Sequence, residues 1–462
     1  MSVLMNYISE RMDDMEKRSL DIYNTITQKL LSQCALDSDK NVVFSPLSIL
    51  VLLGILADAT GSETREEIAK ALGCDDDAKE IIEWLTVAQN DLMKSGALIS
   101  SNAVCIRNDI KKKIVSGYEK HLEDVFDGKL FTAKDMVDAV NRWVNEKTNG
   151  MIPQIADESM SAMLACLMNA IAFEAKWGKK YEYDDIDAGE FTNSDGSCKE
   201  VTMMRSTEWQ YIEDDHFTGF TKPYKEVGYS FMALLPKKED PECLREALRE
   251  IDLTKLFRSR NGEEVITSIP EYMLEYGQEL NDFCKGLGIE KAFSDNADFS
   301  PMIDEWLRVD KIIHKAKIQV DRNGTKAVAL TMAVVAAGCA PKFDYKVVDL
   351  DRPFVFAIVH DDTGLPVFAG VVNHLEDSYT EPECFEPEDV FFDSDEEFEE
   401  YMKTKFHSIA NRIHPDKSPL YETHEEIREL FADAQRYYKE KDPLGIQVVE
   451  YNLNRLLEEL GE

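Results

Sequence analysis

Gly324-Thr325-Lys326-Ala327-Val328-Ala329-Leu330-Thr331-Met332-Ala333-Val334-Val335-Ala336-Ala337-Gly338-Cys339 has two faces. Thr325, Ala327, Ala329, Thr331, Ala333 and Val335 make a small face. Lys326, Val328, Leu330, Met332 and Val334 make a larger one. Strict alternation is the period of a β-strand. The small face suits a strand pressed against a packed interior, where volume is limited. Gly324 offers a pivot, because glycine reaches backbone angles other residues avoid. Taken alone, the stretch is an ordinary central strand followed by a loop at Gly338-Cys339-Ala340-Pro341, or a loop in one state and a buried strand in another.

The flanks decide between these. Upstream stands His314-Lys315-Ala316-Lys317-Ile318-Gln319-Val320, and downstream Asp351-Arg352-Pro353-Phe354-Val355-Phe356. Further out are Phe44-Ser45-Pro46-Leu47-Ser48-Ile49, opening a very apolar helix, and Thr64-Arg65-Glu66-Glu67, which reads as a capping box. Val140 to Gly150 reads as a helix stopped by Asn149-Gly150. Leu167-Met168-Asn169-Ala170-Ile171-Ala172-Phe173 is an apolar strand carrying one amide, followed by Lys176-Trp177. Pro223-Tyr224, Phe231 to Pro236, Ile269-Pro270-Glu271-Tyr272 and Gly370-Val371-Val372-Asn373-His374 complete the series. This ordered set, over about residues 17–375, resembles the serpin family. The resemblance implies an α+β fold with three β-sheets, eight to nine helices and an exposed reactive loop.

It also implies roles for individual residues. Gly324, Thr325, Ala327 and Ala329 become the hinge of the loop. Ser45, Ser48, Asn169 and His314 become a polar cluster under the central sheet; a buried amide such as Asn169 is costly unless hydrogen-bonded. The family's usual spacing from Gly324 puts the scissile bond at Gly338-Cys339. The segment from there to Pro353-Phe354 is longer than usual, which widens the range to Ala336–Ala340. All residues there are small, which favours elastase-like or subtilisin-like proteases over Arg-specific ones. Val328 and Leu330 are bulkier than is usual in the family, but both fall on the outer face. The family's usual Glu, two residues before the hinge glycine, is Arg322 here. The Lys that pairs with it, right after a Pro, is Glu271. Both signs are inverted, so the expected ion pair at the mouth of the sheet is kept.

Composition narrows the functions. The chain has 462 residues, more than one average domain, and a formal net charge of -37. That charge argues against nucleic acid and anionic membrane surfaces as partners. Lys111-Lys112-Lys113 reads as a solvated turn. Nine cysteines are dispersed without CxxC spacing, which suggests reduced thiols, with no disulfide framework and no metal site. No Walker loop, GxGxxG or nucleophile motif occurs, so neither a cofactor nor catalytic residues are expected. The N-terminal residues carry no apolar signal segment, which favours the cytoplasm, or an extracellular site had a leader been removed.

The expected function is irreversible inhibition. A serine protease attacks the loop, forms an acyl-enzyme, and is trapped as the loop inserts into the central sheet. The expected protein is a monomer and not an enzyme, and its partner is a serine protease held covalently. Two alternatives remain: a non-inhibitory serpin-like binding protein linked to a chaperone, and an inhibitor of papain-like cysteine proteases.

Beyond residue 375 the composition shifts. Residues 376–400 hold thirteen Asp or Glu and no Lys or Arg, which reads as a solvated linker. Helical periodicity then returns. Phe398, Met402, Phe406, Ile409 and Ile413 line one face; Ile427, Leu430, Phe431, Ala434 and Tyr438 line another, entered by a Thr423…Glu426 capping box. His414-Pro415-Asp416-Lys417 lies between them. This small helical hairpin resembles a J-domain, which implies a heat-shock chaperone ATPase as a partner. The usual short first helix is absent. The domains expected are 1–375, a serpin domain; 376–395, an acidic linker; and 396–462, a J-domain-like helical region.

Overall fold

The computed structural model describes residues 2–34, 40–74, 78–132, 136–158, 160, 163–181, 185–325, 346–378 and 394–460. The described residues divide into a large body and a separate C-terminal unit, and the body runs through Ser378.

Three sheets build the body. The central one runs β3 (Gly128–Phe131), β2 (Leu98–Ile106), β4 (Ala165–Phe173), β13 (Lys311–Asp321), β14 (Gly324–Thr325), β5 (Ala175–Lys176), with β12 (Tyr272–Glu279) on the other side of β13. The second runs β1 (Val42–Phe44), β17 (Pro366–Val372), β16 (Phe354–His360), β10 (Tyr229–Pro236), β9 (Phe217–Pro223), β8 (Tyr211–Glu213). The third runs β15 (Lys346–Asp349), β11 (Val265–Pro270), β7 (Cys198–Glu208), β6 (Ile186–Thr192). Nine α-helices accompany them, so the expected α+β architecture is present.

Burial explains the apolar runs. Every residue of β4 is buried, because helices cover both faces of the sheet. The helix Pro46–Ala59, buried at every position but Asp58, packs against β4, β13 and β17. The helix Met136–Lys147 lies on the opposite face, where Val140, Trp143 and Val144 meet Ala103, Met168 and Ala170. Asn149 and Gly150 both take left-handed angles and end that segment. Lys111, Lys112 and Lys113 are exposed on a short 3-10 helix.

Several expectations are corrected. The first helix spans Ser2–Cys34, starting ahead of residue 17, where the family resemblance begins. The Thr64…Glu67 capping box does not form: the helix Ser62–Ala71 starts after Gly61 with no side-chain cap. Thr64 Oγ1 instead accepts from the Asp298 amide, and Glu67 accepts from the amides of Glu290 and Lys291. Both side chains hold a distant segment. In the C-terminal unit, the helix Glu425–Glu440 starts after His424, again without a side-chain cap. That unit is more than a hairpin. Asp395–Ile413, Leu420–Thr423 and Glu425–Glu440 are joined by Pro443–Leu460, whose Ile446, Val449 and Leu453 complete one core with Met402, Ile409, Ile427 and Phe431.

Candidate functional site: the mouth of the central sheet

The central sheet contains a break. β4 and β13 are parallel neighbours from Cys166–Lys311 to Ala172–Lys317. Beyond Lys317 they part, and β14 enters between them. Thr325 and Gly324 pair antiparallel with Val320 and Asp321 on one side, and antiparallel with Ala175 and Lys176 on the other. The hinge dipeptide is thus already a strand of the sheet. Just below it lies a cavity of about 180 Å³, lined by Asn149, Gly150, Met151, Phe173, Lys317 and Gln319.

Each of the two described hinge residues is held by a distinct device. Gly324 is required by space: a Cβ there would stand 2.2 Å from the Ala175 carbonyl oxygen. Thr325 is fully buried, and its Oγ1 lies 2.6 Å from the Tyr224 hydroxyl. Tyr224 stacks on Trp177, centroids 4.7 Å apart. Trp177 then clasps the preceding turn, its Nε1 donating to the Asp321 carbonyl at 2.8 Å and its amide to the Asn323 carbonyl at 2.9 Å. Asp321 closes that turn from inside. Its Oδ1 accepts from the amides of Asn323 and Gly324, and its Oδ2 from Gln319. Burial, reinforced by the Glu271 carboxylate, pushes the Asp321 carboxyl up to about 6 against those bonds. Beneath Trp177, the buried Lys222 ammonium meets Glu208 at 2.7 Å and lies 5.6 Å from the indole ring.

The sheet-mouth ion pair is formed. Arg322 Nε and the Arg322 amide both donate to Glu271 Oε1 at 3.1 Å. Both side chains are partly buried.

Lower down, the polar cluster bridges the β4–β13 ladder. His314 and Asn169 are register partners. The Ser45 amide donates to His314 Nε2 at 3.0 Å, so Nδ1 carries the proton and donates to Asn169 Oδ1 at 3.1 Å. Asn169 Nδ2 donates to Ser100 Oγ and to Asn102 Oδ1. Ser48 enters through Ser100, their hydroxyls 3.4 Å apart, while its amide donates to the Ser45 hydroxyl. The expected four residues do meet, but Asn169 reaches the serines only through Ser100 and His314. Ser100 and Asn102 were missed. Their signal was polar residues in the middle of an otherwise apolar strand, with Asn102 opposite Asn169.

The family model described as serpin (serine protease inhibitor) matches residues 21–375. This chain is a serpin. It is 29% identical over 364 residues to Serpin-ZXA of Oryza sativa subsp. japonica, covering 73% of this chain and 91% of the relative. It is 29% identical over 371 residues to Iripin-2 of Ixodes ricinus, covering 76% and 92%. Among solved structures, the native thermophilic serpin Tengpin aligns with a TM-score of 0.70 at 31% identity, over 77% of this chain and 94% of that one. Human thyroxine-binding globulin complexed with its hormone aligns at 0.70 and 22% identity, covering 79% and 100%, which shows the shared fold.

In this serpin the expected reactive bond Gly338-Cys339, its expected range Ala336–Ala340, and the expected hinge residues Ala327 and Ala329 lie outside the described residues. In the C-terminal unit, His414, Pro415 and Asp416 form the turn between two helices. The Asp416 amide donates to His414 Nδ1 at 3.1 Å, and Lys417 reaches Asn411. Asp416 is largely exposed, and His414 packs edge-on to Phe431. No described helix is long and apolar enough to cross a membrane.

Two outcomes follow from this geometry. Burial lowers the His314 pKa from 6.5 to about 3, so the fold holds the neutral ring. This contribution is complete above pH 6.5 and is lost as pH falls toward 3, amounting to about 2 kcal/mol at pH 5. Asp321 acts in the opposite sense, since a raised carboxyl favours the fold as pH falls from 6 toward its ordinary value. Urea unfolding at pH 7.5 and 5 of the parent, His314→Gln and Asp321→Asn should show the smallest acid loss in His314→Gln and the largest in Asp321→Asn. An unchanged acid loss in His314→Gln removes the assignment. Second, Arg322→Glu should promote polymers on mild heating, and adding Glu271→Lys should restore resistance, the pair being worth about 0.5–1 kcal/mol. Equal polymerisation of single and double variants would show that the two are not coupled.

Proposed function

We propose that this serpin is a suicide inhibitor of serine proteases. The observation that carries it is the hinge already paired antiparallel to both neighbours, ahead of a gap in the sheet. The protease serine Oγ attacks the carbonyl carbon before the scissile bond. The C–N bond breaks, the amine leaves with a proton, and the loop's N-terminal part stays on the enzyme as an ester. That part then continues β14 down between β4 and β13, carrying the protease away from the loop's original position before water cleaves the ester.

The sheet is arranged to favour this step. One parallel ladder opens and two antiparallel ladders form, each somewhat more stable per residue. Continuing the observed register residue by residue brings Ala327 opposite Ile318, Ala329 opposite Ala316, and Thr331 between His314 and Asn169. The strand parts the His314–Asn169 bond and brings a hydroxyl to the two groups it separates. Small residues on this inner face fit a sheet already covered by the helix Pro46–Ala59. The small residues at 336–340 favour elastase-like or subtilisin-like targets, with papain-like cysteine proteases the alternative. A binding role without inhibition, as thyroxine-binding globulin illustrates on this fold, would need no seated hinge and no small inner face.

A second reading concerns the C-terminal unit. The HPDK turn sits at the exposed junction of two helices. The helix Pro443–Leu460 fills the core that a missing first helix would otherwise leave open. This supports recruitment of a heat-shock chaperone ATPase.

Three measurements test these readings. Incubated with an elastase-like or subtilisin-like protease, the serpin should yield a complex that survives denaturing electrophoresis. Thr325→Arg should be cleaved without complex, since its charge would be buried unpaired; cleavage of the parent by every such protease without complex rejects inhibition. Loop cleavage should raise the melting temperature markedly. Thr331→Val should keep the native melting temperature but lose part of that rise, about 1–3 kcal/mol for a buried unsatisfied group; an equal rise in parent and variant contradicts the register. The full chain should stimulate a chaperone ATPase and His414→Gln should not; absence of stimulation by the parent rejects the chaperone reading.

A further inference from the structure

The family match ends at residue 375, yet the next three residues are seated on the body. Leu375 is buried, and both its amide and carbonyl bond the Asn193 side chain. Glu376 joins His374 at 2.9 Å and Lys199 at 3.3 Å. Asp377 accepts the Glu200 amide at 3.0 Å through Oδ1 and faces Lys199 at 3.3 Å through Oδ2. The Ser378 amide donates to the Glu200 carbonyl at 3.0 Å, and the Ser378 carbonyl accepts from Thr202 Oγ1 at 3.4 Å. The expected acidic linker therefore does not begin at 376. Its first residues have specific partners, and the Lys199 ammonium offsets two of its charges.

The position of these contacts matters more than their number. β7 pairs with β11 only from Met203–Pro270 onward. The preceding residues of β7 extend past the end of that ladder. There the Glu271 amide takes the Thr202 carbonyl at 2.8 Å, and Asp377 and Ser378 take both backbone groups of Glu200. Glu271 is the residue whose carboxylate holds Arg322 and, through the Arg322 amide, the hinge turn. A continuous path of hydrogen bonds thus runs from Ser378 through Thr202 and Glu271 to Arg322.

We propose that Glu376–Ser378 is a strap that fixes the head of β7 behind Glu271, restrains the mouth of the central sheet, and makes the C-terminal extension a regulator of loop insertion. The regulatory half rests on the insertion reading proposed above. The structural half does not: with the strap in place, the Thr202–Glu271–Arg322 line is anchored at its far end. Without it, the head of β7 loses both backbone bonds at Glu200 and frees the residue that positions Glu271. The two carboxylates and the serine act as one unit, because their bonds, apart from that of Glu376 to His374, all land within one short stretch of a single strand, on Lys199, Glu200 and Thr202.

The test uses the full chain throughout. Two variants weaken the strap: Asp377→Ala, and Ser378→Pro, which removes the donor to Glu200. Glu381→Ala removes the same single charge as Asp377→Ala further along and serves as control. Hydrogen exchange followed by mass spectrometry should show peptides spanning 198–203, 271 and 320–325 exchanging about fivefold faster in both strap variants. Peptides of β10 and β16 should be unchanged. Conversion to polymer just below the melting temperature should accelerate by a similar factor, and the control should match the parent. Unchanged exchange at 271 and 320–325 overturns the strap. Acceleration throughout the body overturns it as a local device. A parent whose melting temperature does not rise on loop cleavage rejects insertion, whatever the exchange result.

Discussion

The structure depends on one ladder, the parallel pairing of β4 with β13. Both strands have other neighbours with which they pair antiparallel, β2 and β12. Sequentially distant strands in a sheet normally stay where folding puts them. Here the two lie side by side although an antiparallel strand between them would satisfy each with better-aligned hydrogen bonds. The remainder of the body packs around this pairing, which the insertion proposed above would undo. The helix Pro46–Ala59 supplies an apolar floor that no single strand owns. The helix Met136–Lys147 covers the other face and has its own core with β2 and β4.

Restraint on the ladder is distributed among polar groups because apolar contact alone is non-directional. The His314–Asn169 bond is directional, spans the pairing that must open, and sits in a low dielectric where a lost partner is costly. At the mouth, Trp177 holds the backbone of the turn while Arg322 and Glu271 hold its side. The hinge pair is seated, yet the insertion proposed above would have to break the ladder before new bonds form. On that proposal the metastability is kinetic: the seated dipeptide supplies a nucleus, and the polar bridge sets the resistance.

Much of this was legible in the chain. Of the alternation at 324–335 only Gly324 and Thr325 fall within the described residues, and these two are a strand; Asn169 stood out because an amide in an apolar run needs a partner. Arg322 and Glu271 were readable only together, since each alone is an unremarkable surface charge. Ser100 and Asn102 were not read, because three successive short polar residues, Ser100-Ser101-Asn102, look like a loop although they lie inside the strand Leu98–Ile106. Asp321 was hidden for a different reason. An acid in a turn before glycine is ordinary, and its burial comes from Trp177, 144 residues earlier. One apparent capping box failed for a similar cause: at Thr64 and Glu67, tertiary partners outcompeted the local motif.

Composition was least reliable where it averages over neighbours. A run of acids reads as a solvated linker because no net apolar gain offsets its ordering entropy. Three of those residues nonetheless have fixed partners on β7, since two backbone groups there lie past the end of the β11 ladder and one lysine stands beside them. Unsatisfied strand edges recruit whatever chain passes near. In a body whose β7 head sits behind Glu271, the segment that satisfies this edge becomes part of the structure that holds the sheet shut. The hydrogen-bonded body therefore reaches at least to Ser378, past residue 375, where the family likeness ends.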